Sequence, residues 1–431
     1  MNESKIVITG LGLISPLGSN LEENWRNLKE KKTGIGYYPQ ERCPNQLSYL
    51  GKIPQFQLPN GIPHKLLNQM KFLNRSSLLG FVASHEAVSQ SRIDIPVIPL
   101  HRRALYIGAG DHTKVGYDFM YPAIKKGSKG GFQEIVYEQL NNSFLHDINP
   151  FFLLESLHNN LFGFLSVFFG FKGPNTSLAS LSPCGAHALE LGFRSIKQCR
   201  ADIALVVGCS NWITEIPLYE LEGIGMLSRC KHGVHSYKPF DKHRDGLIPG
   251  EGAAAVLLES EGNAKKRGAE ILAKVKGIGN CIDFSVDEGF AVPTRSGERS
   301  MKMALEESGC DIEDLAFISP HGSATKKGDK FELAALNIVL GNSRSKVPIC
   351  GMKPYTSHMG AASDIAEIIL SIKSLKNGMV PATLNFEETE REFSELWIST
   401  SHETSEKRHF LSTSYGMGGQ FASIVIGSSD L

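Results

Sequence analysis

Short apolar runs closed by glycine alternate along this chain with longer stretches in which apolar residues return every three or four positions. Residues 5–12 (KIVITGLG) are rich in β-branched side chains and end on glycine, which predicts a buried strand. Pro16-Leu17-Gly18 turns the chain, and residues 22–32 carry a helical period. Further strands are predicted over residues 104–110, 176–181, 202–208 and 252–259, with a helix over 185–199. The order then repeats. Residues 270–277 read as a strand, 297–308 as a helix and 315–319 as a strand. Residues 331–339 and 365–376 read as helices, and 421–427 as a closing strand.

Alternation of this kind predicts an α/β fold whose sheets are covered on both faces. The same order in two halves predicts an internal duplication, with an N-terminal half over residues 1–259 and a C-terminal half over 260–431. Residues 112–150, which include the loop Lys125-Lys126-Gly127-Ser128-Lys129-Gly130-Gly131, read as an insertion or cap. No low-complexity linker separates the halves, so they are expected to pack as one body.

Composition narrows the function classes. The 431 residues carry 45 Lys+Arg and 45 Asp+Glu, so the formal net charge is zero. That excludes the global basic field of a nucleic-acid or anionic-membrane binder, and leaves room for a local basic patch facing an acidic carrier protein. The eight cysteines form no C-x-x-C pair, which predicts reduced thiols and a cytoplasmic protein. The N-terminus enters its first strand without a signal-peptide arrangement. The most apolar stretch, residues 150–173, holds Glu155, His158, Asn159 and Asn160, too many polar groups for a membrane span.

The segment Gly173-Pro174-Asn175-Thr176-Ser177-Leu178-Ala179-Ser180-Leu181-Ser182-Pro183-Cys184-Gly185-Ala186-His187-Ala188 resembles the nucleophile segment of the β-ketoacyl-ACP synthases. Five other stretches are similar to that family in the same order. They are the opening strand over residues 7–18; Pro239-Phe240-Asp241 with Arg244-Asp245-Gly246 and Gly250-Glu251-Gly252-Ala253; His321-Gly322-Ser323-Ala324-Thr325 with Asp329; Lys353 with His358; and Ser414-Tyr415-Gly416-Met417-Gly418-Gly419. The resemblance spans essentially the whole chain. It implies a thiolase-like, duplicated, layered αβαβα fold that usually assembles as a dimer.

Counting from Gly173-Pro174 and from Gly185-Ala186-His187 places the family's cysteine on Ser182 both times. The resemblance implies that His321 and His358 stabilise the enolate of a decarboxylating malonyl thioester. It implies that Ser323 and Thr325 hold the phosphopantetheine arm of an acyl carrier protein, and that Lys353 and Glu251 form a buried polar pair behind the histidines. The amides of Ser182 and Met417 match an oxyanion hole, with Tyr415 and Gly416 in the gating loop. No bound cofactor and no metal is implied, and His232, His235 and His243 lack the spacing of a metal site.

A serine hydroxyl has no useful ionised fraction near neutrality, whereas a thiol ionises near ~8.5. The pattern departs from the family at Ser357, at Ala361-Ala362-Ser363-Asp364, at Thr413 and at Phe421 as well. Coupled departures point to drift away from condensation. The resulting expectation is a chain-length-factor-like subunit that forms a heterodimer with an active ketosynthase paralogue on acyl carrier protein. Two alternatives stay open: a malonyl-ACP decarboxylase or Ser182-dependent acyltransferase using His321 and His358, and an ordinary synthase with an engineered cysteine-to-serine change. Read without the family, Ser182-Pro183 is an ordinary helix start, with serine at the N-cap and proline at N1. Cys184 is a weak substitute nucleophile, since two helical residues turn a side chain by about 200°.

Overall fold

A computed structural model describes residues 5–39, 45–53, 55–110, 120–130, 132–148, 150, 159–180, 182–283, 292 and 294–429. Nine strands form one mixed sheet: β1 (Ile6–Ile14), β2 (Arg103–Ala109), β3 (Asn175–Leu178), β4 (Ile203–Asn211), β5 (Glu251–Ser260), β6 (Ala273–Ile282), β7 (Leu315–Ser319), β8 (His409–Tyr415) and β9 (Gln420–Gly427). Their spatial order is β7-β8-β9-β6-β1-β5-β4-β2-β3. Outward from β1, the strand β5 is antiparallel, β4 antiparallel to it, and β2 and β3 follow in parallel. Outward from β6, the strand β9 is antiparallel, β8 antiparallel to it, and β7 follows in parallel. The two series meet where β1 pairs antiparallel with β6 through Ile6 opposite Val275 and Ile8 opposite Ala273.

Seven helices fill the remaining layers: α1 (Leu21–Lys29), α2 (Arg75–Ser91), α3 (Asn159–Phe169), α4 (Cys184–Lys197), α5 (Ser296–Ser308), α6 (Lys326–Leu340) and α7 (Ala361–Lys376). Successive strand residues point to opposite faces, so one strand feeds two cores. Tyr106, Val206, Val256, Phe410 and Ile424 turn into a central core with Leu189 of α4 and Ile365 and Ile369 of α7. Leu105, Val207 and Leu257 turn the other way, onto Leu79 and Phe81 of α2 and Phe164 of α3. In the second half, Ile318, Leu411 and Val425 pack outward on Met301 of α5 and Leu333 and Leu336 of α6. The result is five layers, αβαβα, with α4 and α7 in the middle. Fourteen of the sixteen residues of α7 are buried, as expected of a helix enclosed between the two series of strands.

Each half uses the same close contact. Gly10 and Gly12 of β1 lie under the carbonyls of Ala87 and Ala83 of α2, and a Cβ at either glycine would collide with them. Gly277 and Gly279 of β6 lie in the same way under Ala304 and Ser300 of α5. This shared packing explains an element the hydrophobic pattern did not reveal. Besides Leu79 and Phe81, the buried residues of α2 are small, among them Ser76, Ser77, Gly80, Ala83, Ser84 and Ala87, which permit close approach but give little amphipathic contrast. The strand β8 escaped notice for a related reason: Ser412, Thr413 and Ser414 are buried in it although the run reads as polar.

Of the expected insertion, residues 112–119, 131 and 149 lie outside the described residues. Within the described part, short helices Tyr121–Lys126 and Tyr137–His146 flank a small antiparallel pair, Ser128–Lys129 with Glu134–Ile135. The seven described cysteines are free thiols. Among the described residues no helix is long and apolar enough to cross a membrane, and no His/Cys/Asp/Glu cluster could hold a metal.

Candidate active site

Ser182 lies between β3 and α4, and is 4% exposed. The helix opens one residue before the expected span of 185–199 and one residue after the start that Ser182-Pro183 suggests: Pro183 is the N-cap and Cys184 the first helical residue. Proline has no N–H to lose at that position, and its carbonyl closes the first turn by accepting from His187 N at 3.0 Å. Ser182 Oγ donates to the carbonyl oxygen of Gly360 at 3.2 Å. Cys184 points elsewhere. Its Sγ donates to Leu178 O at 3.4 Å, and burial pushes its thiol up to about 12, which removes it as a nucleophile.

His321 follows β7 and His358 precedes α7, so the C-terminal half supplies both imidazoles, opposite Ser182 of the N-terminal half. Their Nε2 atoms are 3.3 Å apart and the ring planes meet at 71°. His358 Nδ1 accepts from Gly360 N at 3.1 Å, which assigns its proton to Nε2, on the side of His321. The His358 ring stacks on Trp212 at 4.7 Å, and Trp212 Nε1 is itself anchored on Gly110 O at 2.8 Å. His321 is held from its backbone: Glu332 of α6 accepts the amides of His321 at 2.8 Å and Gly322 at 2.9 Å. Burial, then the Lys353 ammonium, then His358, hold the His321 imidazole well below the usual histidine range, so it is neutral.

One expected pair is corrected. Lys353 does not meet Glu251. Its Nζ donates to Glu367 at 2.7 Å and to the carbonyl of His321, with both side chains at most 1% exposed. Glu251 lies across the sheet, where its carboxylate accepts from Arg75 Nη2 at 2.7 Å and from Ile53 N at 3.0 Å. Glu367 was legible after the fact. Asp364 and Glu367 stand three apart in the apolar run of α7, so they share a helix face, and that face looks at the site. Burial raises Asp364 to about 6 and Glu367 to about 7. Asp364 Oδ2 accepts the Gly185 amide at 3.0 Å.

Ser323 and Thr325 hydroxyls are buried and bond each other at 2.8 Å. Ser323 also meets Tyr415 Oη at 2.9 Å and donates to Asp329 at 3.1 Å. The Tyr415 ring lies 4.3 Å from the His321 ring. Gly416 passes under Ser182, where a Cβ would strike the Ser182 carbonyl oxygen. Met417 lines the same pocket as Ser182, His321, His358 and Trp212. The sequence departures belong to this network. Ser357 sits at φ +68°, a conformation that favours glycine. Thr413 donates to Glu332 at 2.8 Å, and Phe421 stacks on Tyr415 at 6.0 Å. Sequence reasoning missed Trp212, Glu332 and Glu367: the first two act on an imidazole or its backbone and the third on Lys353, rather than through a recognisable motif.

Residues 3–264 match the family pattern "Beta-ketoacyl synthase, N-terminal domain", and residues 272–387 match "Beta-ketoacyl synthase, C-terminal domain". The 3-oxoacyl-[acyl-carrier-protein] synthase 2 of Staphylococcus aureus (strain COL) is 26% identical over 429 residues, covering 99% of each chain. The ishigamide ketosynthase/chain length factor superposes with a TM-score of 0.82 at 22% identity, covering 99% of each chain. A chain from the complex of a type II PKS acyl-carrier protein with its ketosynthase, bound to the hexaketide, superposes with a TM-score of 0.83 at 22% identity, covering 99% of this chain and 100% of that one.

Proposed function

Because the chain belongs to the β-ketoacyl synthase family, we propose that it is a ketosynthase-like subunit that does not condense by itself. It pairs with an active ketosynthase paralogue and helps set chain length on acyl carrier protein, in type II polyketide or related fatty-acyl synthesis. The observation that carries this reading is the Ser182 hydroxyl donating to the Gly360 carbonyl at 3.2 Å. Acyl transfer from a pantetheine thioester needs the attacking group to give up its proton and the departing sulfur to receive one. An amide carbonyl is no base, so the Ser182 proton stays where it is. An oxygen ester would also be a poorer acyl donor than a thioester for carbon–carbon bond formation. The likeness in fold to a ketosynthase/chain length factor and to a chain from a ketosynthase–carrier complex supports the choice of partners. Ser323 and Thr325 are then the hydroxyls nearest a phosphopantetheine arm entering past Met417.

A second reading is favoured by one observation, the paired imidazoles of His321 and His358 at 3.3 Å. Loss of carbon dioxide from a malonyl thioester leaves an enolate, which neutral imidazole N–H groups can stabilise without any nucleophile. On that reading the chain is a malonyl-ACP decarboxylase.

Co-expression with a ketosynthase encoded beside it, followed by size-exclusion chromatography, tests the proposal. A stable heterodimer whose product length changes with this subunit supports it. A homodimer that condenses malonyl and acyl carrier substrates alone overturns it.

A further inference from the structure

Asp364 is 2% exposed and sits in the first turn of α7, facing the start of α4. Its Oδ2 accepts the amide of Gly185, the second residue of that helix, at 3.0 Å. The first amides of a helix carry the positive end of its dipole, about half an elementary charge. That end lowers the pKa of a thiol placed on it from ~8.5 into a range of roughly 3.5–7.5. A carboxylate on the same amides brings a full opposite charge.

We propose that Asp364 occupies the positive end of α4 and thereby withholds thiolate stabilisation from position 182, so that a cysteine restored there alone is not activated.

The inference rests on the reading of the site as non-condensing and names a second cause for it, independent of Ser182. The other charged and titratable groups facing this point do not supply the missing field. Lys353 is neutralised by Glu367 at 2.7 Å. Glu332 is committed to the amides of His321 and Gly322. His321 is neutral through burial, and His358 spends Nδ1 on Gly360 N. Burial lifts Asp364 only to about 6, so near neutrality it is mostly ionised and opposes a thiolate beside it.

The test titrates the thiol of Ser182→Cys by its ultraviolet thiolate absorbance, taken as the difference from the parent protein so that the native cysteines cancel. The same titration is run on Ser182→Cys/Asp364→Asn and Ser182→Cys/Asp364→Gly. The inference expects half-titration at or above ~8.5 in the single variant, and a fall of at least one pH unit in either folded double variant. It expects a matching rise of about tenfold in the rate of alkylation at neutral pH. A single variant that titrates below ~8.5, or a fall of less than one unit on removing the carboxylate, overturns it. If both double variants fail to fold, the single variant alone decides. The titration needs no partner or carrier protein, so its failure leaves the proposed heterodimer unaffected, and the reverse also holds.

Discussion

Lys353 and Glu367 form a 2.7 Å ion pair sealed from solvent behind the two imidazoles, and the same ammonium grips the carbonyl of His321. Through that carbonyl, the pair ties the C-terminal loop carrying His321 to the central helix that follows His358. A buried pair is weak evidence for net stability, but removing one member strands the other. Lys353→Met is therefore expected to cost about 3–5 kcal/mol, with Lys353→Met/Glu367→Leu recovering most of the loss. Urea unfolding of the three proteins checks this. Glu251→Gln, by contrast, is expected to weaken only the contact with Arg75 and leave the histidine pair in place.

The carboxyl of Glu332 gives a pH dependence of definite sign. Burial raises it from 4.5 to about 7, so the folded chain holds its proton more tightly than the unfolded chain. Its contribution favours folding below pH 4.5 and is lost as pH rises through about 7. Relative to Glu332→Gln, the parent protein is expected to lose roughly 3 kcal/mol of stability across that window. Denaturant unfolding at several pH values reads the difference directly, and a difference independent of pH contradicts it.

His321 is held neutral by burial and by Lys353. Its ring resonances, assigned by difference from His321→Gln, are expected to stay fixed between about pH 6 and 8, where an ordinary histidine titrates. If the chain decarboxylates malonyl carrier substrates, the rate is expected to be flat over the same range and lost in His321→Ala/His358→Ala.

Gly416 is fixed by contact rather than by its backbone angle. Its missing Cβ makes room for the Ser182 carbonyl oxygen. Gly416→Ala is expected to cost roughly 1–3 kcal/mol through overpacking. It should also displace the Ser182 turn, visible as a lower melting temperature and a changed crystal structure at that loop.

Much of this was legible before any coordinates. The duplicated strand–helix order predicts the five layers, because apolar runs on period two and period 3.6 report burial directly. Ser182, His321, His358, Tyr415 and Met417 are brought to one pocket from four separate segments. What failed to show was of two kinds. The helix α2 hides because close packing on Gly10 and Gly12 selects small residues, which carry little hydrophobic signal. Glu367 hides because a buried ion-pair partner is chosen by three-dimensional approach, and Glu251 offered an equally good carboxylate in a recognisable motif. The start of α4 falls between the two positions the sequence offers, because serine before proline satisfies the usual N-cap pattern one residue too early while the apolar period begins at residue 185.

The central claim is that acyl groups do not load onto this chain. Intact-protein mass spectrometry of the co-purified pair after exposure to acyl- and malonyl-loaded carrier protein tests it most directly. The account predicts an acyl adduct on the partner ketosynthase and none on this chain. An adduct mapped to Ser182 would contradict it and make the chain an acyltransferase in its own right.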